Sequence, residues 1–362
     1  MSLKITRLSL RGFRSYQEFT LFPDSDLTII AGPNAAGKTN ILEALQLLTA
    51  ASSFRNPVWG ECVKWGSEEA RISTKAEGEG RDIEVSLSIT PTGKRSYEVN
   101  GSARRRISEM ERYLPCVVFT PDDLRMVKDS AERRRASLDG LGDQLSPAYC
   151  VLRTEYDRIL KQRNALLKEE ASDPLLMDTL TRSLVEKGGA FSEYRKRLFA
   201  RVADKLSEAY SRLSNNEQTS AVYVSSWQRE DKEEGSDDSS LMEDALALRG
   251  PEERARRTTL VGPHRDEIRF LIDGRDSRSY ASQGQQRTIA LAWKLAEVGV
   301  ITEVSGQPPL LLLDDVMSEL DQTRRRALAS FVGDAAQTVV TTTNLGYFEE
   351  EMIERAKVVD LS

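Results

Sequence analysis

The sequence predicts an α/β nucleotide-binding fold interrupted by a helical insertion, on three observations. Residues 27–48, LTIIAGPNAAGKTNILEALQLL, run from a short apolar stretch through a match to G-x-x-x-x-G-K-[ST] into apolar residues at helical spacing. Residues 310–315, LLLLDD, bring two carboxylates to the end of a buried strand, where open α/β sheets bind ligands. Between them, from Ser146 to about residue 214, long helical stripes with charged flanks replace the strand pattern.

In chain order, residues 3–10 and 19–22 read as strands leading to the phosphate loop, with Arg14 and Tyr16 in their connection. Residues 27–30 are the buried parallel strand, and Ile41, Leu42, Leu45 and Leu48 mark the helix behind the loop. Residues 70–75, 82–89 and 95–99 alternate apolar and polar as an antiparallel meander, and Asn100-Gly101 is a turn signal. Residues 117–119 are a further buried strand, ended by Pro121. Ser146-Pro147 and Asp173-Pro174 each set a capping residue before a proline at a first helical position. The second of these helices would be about 60 Å long at 1.5 Å per residue. Gly188-Gly189 predicts a bend or break within it. The narrow apolar stripe predicts a projecting helical hairpin in preference to core helices. Residues 229–244 are acidic and poor in apolar side chains, the composition of a flexible loop. After Leu260 the strand-like IRFLIDG returns, SQGQQ leads into a helix, and 337–342 and 357–361 close the chain as strands around a short helix.

The chemistry concentrates in three places. Gly32, Pro33, Asn34, Ala35, Ala36 and Gly37 form a loop whose backbone N–H groups can curl round phosphates, with the positive end of a helix behind it. Lys38 supplies a cation for the β/γ-phosphates, the Thr39 hydroxyl can ligate Mg²⁺, and Asn40 sits just past the loop. Asp314 is suited to hold Mg²⁺ opposite Thr39, and Asp315 to orient the attacking water. Ser282, Gln283, Gly284, Gln285 and Gln286 head another helix and offer a second phosphate-seeking surface, or else a plain helix cap. A chain with one phosphate loop seldom needs two for one nucleotide. The economical reading is that this surface meets ATP bound to a second copy, making nucleotide the glue of a dimer.

Bulk properties bound the rest. At 362 residues, one large or two linked domains are expected. A net charge of −6 argues against a broadly basic coat, so any nucleic-acid contact must come from a local patch or a shared dimer surface. Cys62, Cys116 and Cys150 share no metal spacing and read as reduced thiols. No apolar run of about 18 residues is present to span a membrane, and the amino terminus lacks an apolar secretory core. These features describe a soluble cytoplasmic protein.

The ordered motifs identify a family. LRGFRSY near the start, GPNAAGKTN, FTPDDL at 119–124, ERRRASLD at 132–139 and LKQRNALL at 160–167 resemble the RecF family of bacterial recombination-mediator ATPases. So do GPHRDE at 262–267, SQGQQRTIALAWKLAE at 282–297 and LLLLDDVMSELD at 310–321, and the resemblance covers essentially the whole chain. That family is similar to SMC heads and ABC-type ATPases. The resemblance implies a two-lobed ABC/SMC-type P-loop ATPase head. Residues 1–124 and 256–362 would form the head, and 125–255 an inserted helical domain. It implies that residues 32–39 bind ATP and Mg²⁺, that 282–286 cap the γ-phosphate in trans, and that Asp321 in SELD communicates across the dimer. Arg14 would be a nucleotide-proximal arginine. Implied partners are duplex DNA beside single-strand gaps, RecR, RecO and the RecA-loading pathway with its SOS response. Residues 104–106 and 133–135, with Lys161, Arg195 and Lys196, are candidate DNA contacts. Three departures point to a slow, DNA-stimulated ATPase used as a switch. Asp315 stands where ABC enzymes usually have glutamate, Thr341-Thr342-Thr343 where they have histidine, and FTPDDL offers no glutamine between lobes. No chemistry follows for His264 from the sequence. The alternatives are a nucleotide-dependent scaffold without turnover, or another SMC- or ABC-like head.

Overall fold

In–out alternation along most of its strands builds the first sheet. The computed structural model describes residues 3–24, 26–49, 53–55, 57–78, 80–104, 114–169, 173–214, 217–227, 238–334 and 337–361. They fall into two compact units: one of residues 1–125, 212–215 and 290–362, the other of 126–211 and 216–289. In the first, β1 (Lys4–Phe13), β2 (Tyr16–Leu21), β4 (Ala70–Gly78), β5 (Arg81–Ile89), β6 (Arg95–Val99) and β7 (Ser102–Arg104) form an antiparallel sheet in the order β2-β1-β4-β5-β6-β7. Leu8, Leu10, Ile72, Val85 and Leu87 point to its buried face. Asn100 at φ 50° and Gly101 at φ 71° turn β6 into β7, the two positive φ values that a two-residue hairpin loop requires. β3 (Leu27–Ala31) leads to α1 (Lys38–Thr49), and β8 (Cys116–Phe119) follows the meander. α1 is apolar on most faces because it lies between two sheets; Ile41, Leu42, Ala44, Leu45, Leu47 and Leu48 are all fully buried.

The second unit combines helices with a small sheet. α2 (Ala131–Leu145), which the sequence pattern had left unassigned, is followed by α3 (Pro147–Leu166) and α4 (Pro174–Leu213). Ser146 caps α3 by accepting from the Tyr149 N–H at 3.3 Å, and Asp173 accepts from Leu175 N–H at 2.9 Å. α4 is one unbroken helix of 40 residues, so the expected break at Gly188-Gly189 does not occur. These glycines serve close packing. A Cβ on Gly188 would lie 2.9 Å from the Met242 side chain, and one on Gly189 would lie 2.3 Å from Ser239 Oγ. Both neighbours belong to α5 (Asp238–Arg256). Of the acidic stretch, 229–237 lies outside the described residues, while 238–244 is helical and not a flexible loop. From Leu184 onward the α4 stripe of Phe191, Leu198, Val202, Leu206 and Tyr210 is buried, so this part is core and not the projecting hairpin expected. β9 (Thr219–Val224), β10 (Glu267–Ile272) and β11 (Arg275–Asp276) form the sheet β11-β10-β9, and α6 (Ser277–Tyr280) leads to α7 (Gln283–Ser305). Residues 256–289, expected with the head, cluster with this unit.

This packing yields a prediction with an internal control. Gly189→Leu overfills the α4–α5 contact and lowers stability by about 1–3 kcal/mol. Gly140→Ala, within α2 and with open space around its Cβ position, raises stability by up to about 1 kcal/mol. Urea denaturation of the two variants should shift in opposite directions.

The chain then returns to the first unit with β12 (Leu310–Asp314), α8 (Gln322–Asp334), β13 (Thr338–Thr342), α9 (Glu350–Arg355) and β14 (Lys357–Asp360). These complete a parallel sheet in the order β14-β3-β13-β12-β8. Its central strands are buried along almost their whole length because both faces are covered. Gln337 joins this sheet to the first one. Its amide accepts from Ile5 N–H at 2.7 Å and donates to Ile5 O and Asp24 O at 2.8 Å each. That satisfies the backbone of β1 where its register with β4 shifts between Ile5 and Arg7. Among the described residues no helix is long and apolar enough to cross a membrane.

Candidate nucleotide site

Parallel register brings three strand ends together: Asp314 pairs with Thr341, Thr341 with Ile30, and Thr342 with Ala31. The phosphate loop leaves this edge after Ala31. Gly37 has φ +95°, and a Cβ there would lie 2.7 Å from the Tyr16 hydroxyl, so only glycine fits. Ala35 also holds a positive φ of 67°, a strained conformation for alanine. Lys38, 7% exposed, folds back along the loop and donates to Gly32 O at 2.7 Å and Pro33 O at 2.8 Å. Thr39 Oγ1 donates to Asp314 Oδ1 at 3.0 Å, and Thr341 Oγ1 donates to the same oxygen at 2.8 Å. Asp315 turns into the left-handed region at φ 50°, its N–H held by Thr341 Oγ1 at 3.0 Å. Its Oδ1 is buried with no hydrogen-bond partner among the described residues. Burial raises the pKa of this carboxyl and Asp314 adds to the rise, while Lys38 opposes it.

These groups open on a cavity of about 200 Å³ that Asn34, Ala35, Gly37, Asn40 and Arg55 also line. A hydroxyl and a carboxylate at hydrogen-bond distance are hard oxygen donors. Among the described residues no group of three or more His, Cys, Asp or Glu side chains is placed to hold a metal. The site therefore suits a cation that keeps waters and phosphate oxygens as its other ligands, which is the habit of Mg²⁺.

Arg14 differs from expectation. It donates to both oxygens of Glu43, at 3.0 and 2.7 Å, and to Glu61 O at 3.1 Å, and it is not in the cavity wall. Glu43 is fully buried on α1 and also accepts from Ser53 Oγ at 2.8 Å and Arg55 at 3.3 Å. Arg14 thus satisfies a buried carboxylate. The cavity arginine is Arg55, which donates to Asn40 Oδ1 at 2.8 Å. No motif in the sequence marks it, because its place depends on Asn40 and Glu43 of α1.

The remaining candidates scatter. Ser282 and Gln285 form a capping box at the head of α7: Gln285 N–H donates to Ser282 Oγ at 3.2 Å and Ser282 N–H to Gln285 Oε1 at 2.7 Å. Ser282 and Gln283 are exposed there, Gly284 is half-buried, and Gln286 is tied to Ala281 O at 2.8 Å. Asp321 caps α8 through the Arg324 N–H at 2.9 Å. Of the proposed DNA contacts, Arg195 is 2% exposed and fully engaged inside the second unit, so it cannot reach DNA. Arg134 is equally buried, bound to Glu267 and three backbone carbonyls, and Arg135 donates to Asp266 O. Lys161 and Arg104 are exposed, Lys196 is half-buried beside Trp227, and residues 105–106 lie outside the described residues. His264 is half-buried, with Nδ1 accepting from Tyr156 OH at 2.6 Å and Nε2 donating to Thr259 O at 3.1 Å. Burial pushes its pKa down to about 4, which makes it a neutral structural residue.

A family model described as RecF/RecN/SMC N terminal domain matches residues 4–360. The chain is 39% identical to the DNA replication and repair protein RecF of Synechococcus sp. (strain JA-3-3Ab), over 98% of this chain and 95% of that protein. It is 37% identical to the RecF of Gloeobacter violaceus, over 98% and 96%. A solved structure of the recombination mediator protein RecF with ATP, in the RecFOR pathway, is similar with a TM-score of 0.88 at 30% identity, over 96% of this chain and 94% of that one. An Smc head domain from Pyrococcus furiosus, bound to the C-terminal domain of ScpA, shares the fold with a TM-score of 0.56 at 17% identity, over 99% and 93%.

Proposed function

The chain belongs to the RecF/RecN/SMC N-terminal domain family and has the ATPase-head fold of its RecF members, and on that footing we propose that it is an ATP-switched DNA clamp acting as a recombination mediator. The observation that carries this reading is Thr39 beside Asp314, with Lys38 in the loop and Asp315 lining the same cavity.

In this reading Lys38 and the loop N–H groups bind the triphosphate. Thr39 and Asp314 would hold Mg²⁺, which would supply charge neutralisation at the phosphate oxygens. Asp315 orients a water, and its raised pKa makes it the better proton acceptor. Thr341 positions both carboxylates, through Asp314 Oδ1 and through the Asp315 N–H. The short aspartate and the threonine in place of histidine favour slow turnover. Two copies close head to tail, with residues 282–286 of each capping the γ-phosphate of the other. Ser282 and Gln283 are exposed at the start of α7, which supports that role. The closed pair holds duplex DNA beside a single-strand gap, meets RecR and RecO, promotes RecA loading and the SOS response, and lets go on hydrolysis.

Sedimentation velocity with Mg²⁺ and either ATP or ADP, with and without gapped DNA, tests this. A dimer is expected only with ATP, and it should retain DNA best in that state. Ser282→Arg should leave ATP binding intact and abolish the dimer, and a normal dimer from this variant would sink the trans-signature role. A monomer under every condition would favour a nucleotide-dependent scaffold.

A further inference from the structure

Glu217 lies two residues before β9 and joins two helices of the second unit through one carboxylate. Its Oε2 accepts from the hydroxyl of Tyr210, fully buried on α4, at 2.7 Å. Its Oε1 accepts from Gln285 Nε2 at 2.8 Å, 68 residues further along the chain. Gln285 is in turn one half of the capping box at the head of α7, where its own Oε1 accepts from Ser282 N–H.

The carboxylate is carried on pinned backbone. Ser207 Oγ of α4 donates to Thr219 O at 2.8 Å. Gln218 exchanges hydrogen bonds with Asp273: its N–H donates to Asp273 Oδ1 at 3.1 Å, and its carbonyl accepts from Asp273 N–H at 2.9 Å. Glu217 therefore enters from a fixed direction, and the Tyr210 hydroxyl holds the far end of its side chain.

A side-chain amide has an acceptor on one side and donors on the other. Because Glu217 accepts from the Gln285 nitrogen, the Gln285 oxygen is left facing the Ser282 N–H. The flipped amide would set its NH2 against the Ser282 N–H and its oxygen against the carboxylate, and neither contact is a hydrogen bond. Glu217 thus decides which way the capping box closes. With the box closed, the N–H groups of Ser282 and Gln285 are used within it, and that of Gln286 donates to Ser282 O at 3.0 Å. Of the donors at the head of the helix, those of Gln283 and Gly284 are left for an anion.

We propose that Glu217 is a positioning residue of the nucleotide site shared between two copies. It touches no nucleotide. It fixes Gln285, and through Gln285 the head of α7 that meets the γ-phosphate of ATP on the other copy. The proposal rests on the head-to-tail reading above and adds the group that keeps the capping surface in shape.

The test is sedimentation velocity of the full-length protein with Mg²⁺ and ATP, beside ATP affinity measured at a protein concentration where only monomer sediments. Glu217→Ala should raise the dimer dissociation constant about tenfold, the size expected for one lost hydrogen bond to a charged group, and leave monomer ATP affinity unchanged. Glu217→Gln should dimerise as the wild type does, because its oxygen can still accept from Gln285 while its NH2 donates to the Tyr210 oxygen. Gln285→Ala should lose as much as Glu217→Ala, and the double variant no more than either, since the two residues act in series. Normal dimerisation of Glu217→Ala would overturn the proposal, and so would additive losses in the double variant or failure of Glu217→Gln to dimerise. An unfolded Glu217→Ala, or one with equally weakened ATP affinity, would make the carboxylate a structural support and overturn it too. A wild-type protein that stays monomeric with ATP would bring down the head-to-tail reading itself, and that outcome is read before any variant is compared.

Discussion

Lys38→Ala is expected to weaken ATP binding by at least about 100-fold, and with it every ATP-dependent assembly. The Lys38 ammonium is 7% exposed and lies between Gly32 O and Pro33 O. It is held by neutral carbonyls and, among the described residues, by no carboxylate ion pair, so its charge is open to neutralisation by an anion in the loop. Removing one partner of a desolvated charge pair costs about 2–5 kcal/mol, which corresponds to roughly two to three orders of magnitude in affinity. The folded chain should survive, because Gly32 is half-buried and Pro33 exposed, so the carbonyls left behind can bind water. Calorimetric titration with ATP is the direct measurement, and near-normal affinity would show that the loop does not grip the triphosphate. Asp315→Ala is the contrasting variant. It should keep ATP affinity and lower single-turnover hydrolysis about 100-fold or more, since it removes the group that orients water and accepts a proton.

Asp139→Ala is expected to destabilise the second unit by about 3–5 kcal/mol, the usual cost of stranding a buried charge. Arg195 is 2% exposed on α4 and donates to both Asp139 oxygens, at 2.9 and 2.8 Å, and to Pro263 O at 2.6 Å. Its guanidinium also lies 4.3 Å from the centre of the Phe191 ring. Burial acts to lower the pKa of Arg195, and Asp139, Tyr223 and Tyr149 more than reverse this, so the arginine stays charged in the core. Tyr149 OH donates to Asp139 Oδ1 at 2.5 Å and would lose its acceptor as well. Trp227, 3% exposed in the same unit, provides a local emission probe for urea denaturation. The double variant Asp139→Leu with Arg195→Met should recover much of the loss, because two apolar side chains strand no charge. A double variant no better than the single would mean that the bidentate geometry itself holds the unit together.

The GPHRDE and ERRRASLD segments, read from sequence as motif and charge run, are explained by this network. Arg134, Asp139 and Asp266 are buried inside one unit, Arg135 and His264 are half-buried against them, and Arg133 of the three consecutive arginines is exposed. A run of arginines looks the same in sequence whether it faces solvent or carbonyl groups. The deciding partners, Glu267, Asp266 O and Pro263 O, lie more than sixty residues from the arginines they bind. Gly188-Gly189 carries the same lesson. Two glycines in a helix signal a bend when only local propensity is considered. Here they are the places where α5, a helix hidden in an acidic segment, comes closest.

By itself the sequence determined the parallel-sheet strands, the phosphate loop, the helix behind it and the carboxylate pair at a strand end. In these cases the physical cause is local: a run of apolar residues buried on both faces, glycine where φ is positive, a capping residue before a proline. The tertiary structure alone decided which side chains share a cavity. It set Arg14 on a buried carboxylate outside the wall of the phosphate-loop cavity, and it put Arg55 in that wall. It buried Arg195 and left Trp65 in solvent. Those outcomes depend on long-range partners that satisfy or fail to satisfy a charge or an apolar surface, and no window of sequence contains both members of such a pair.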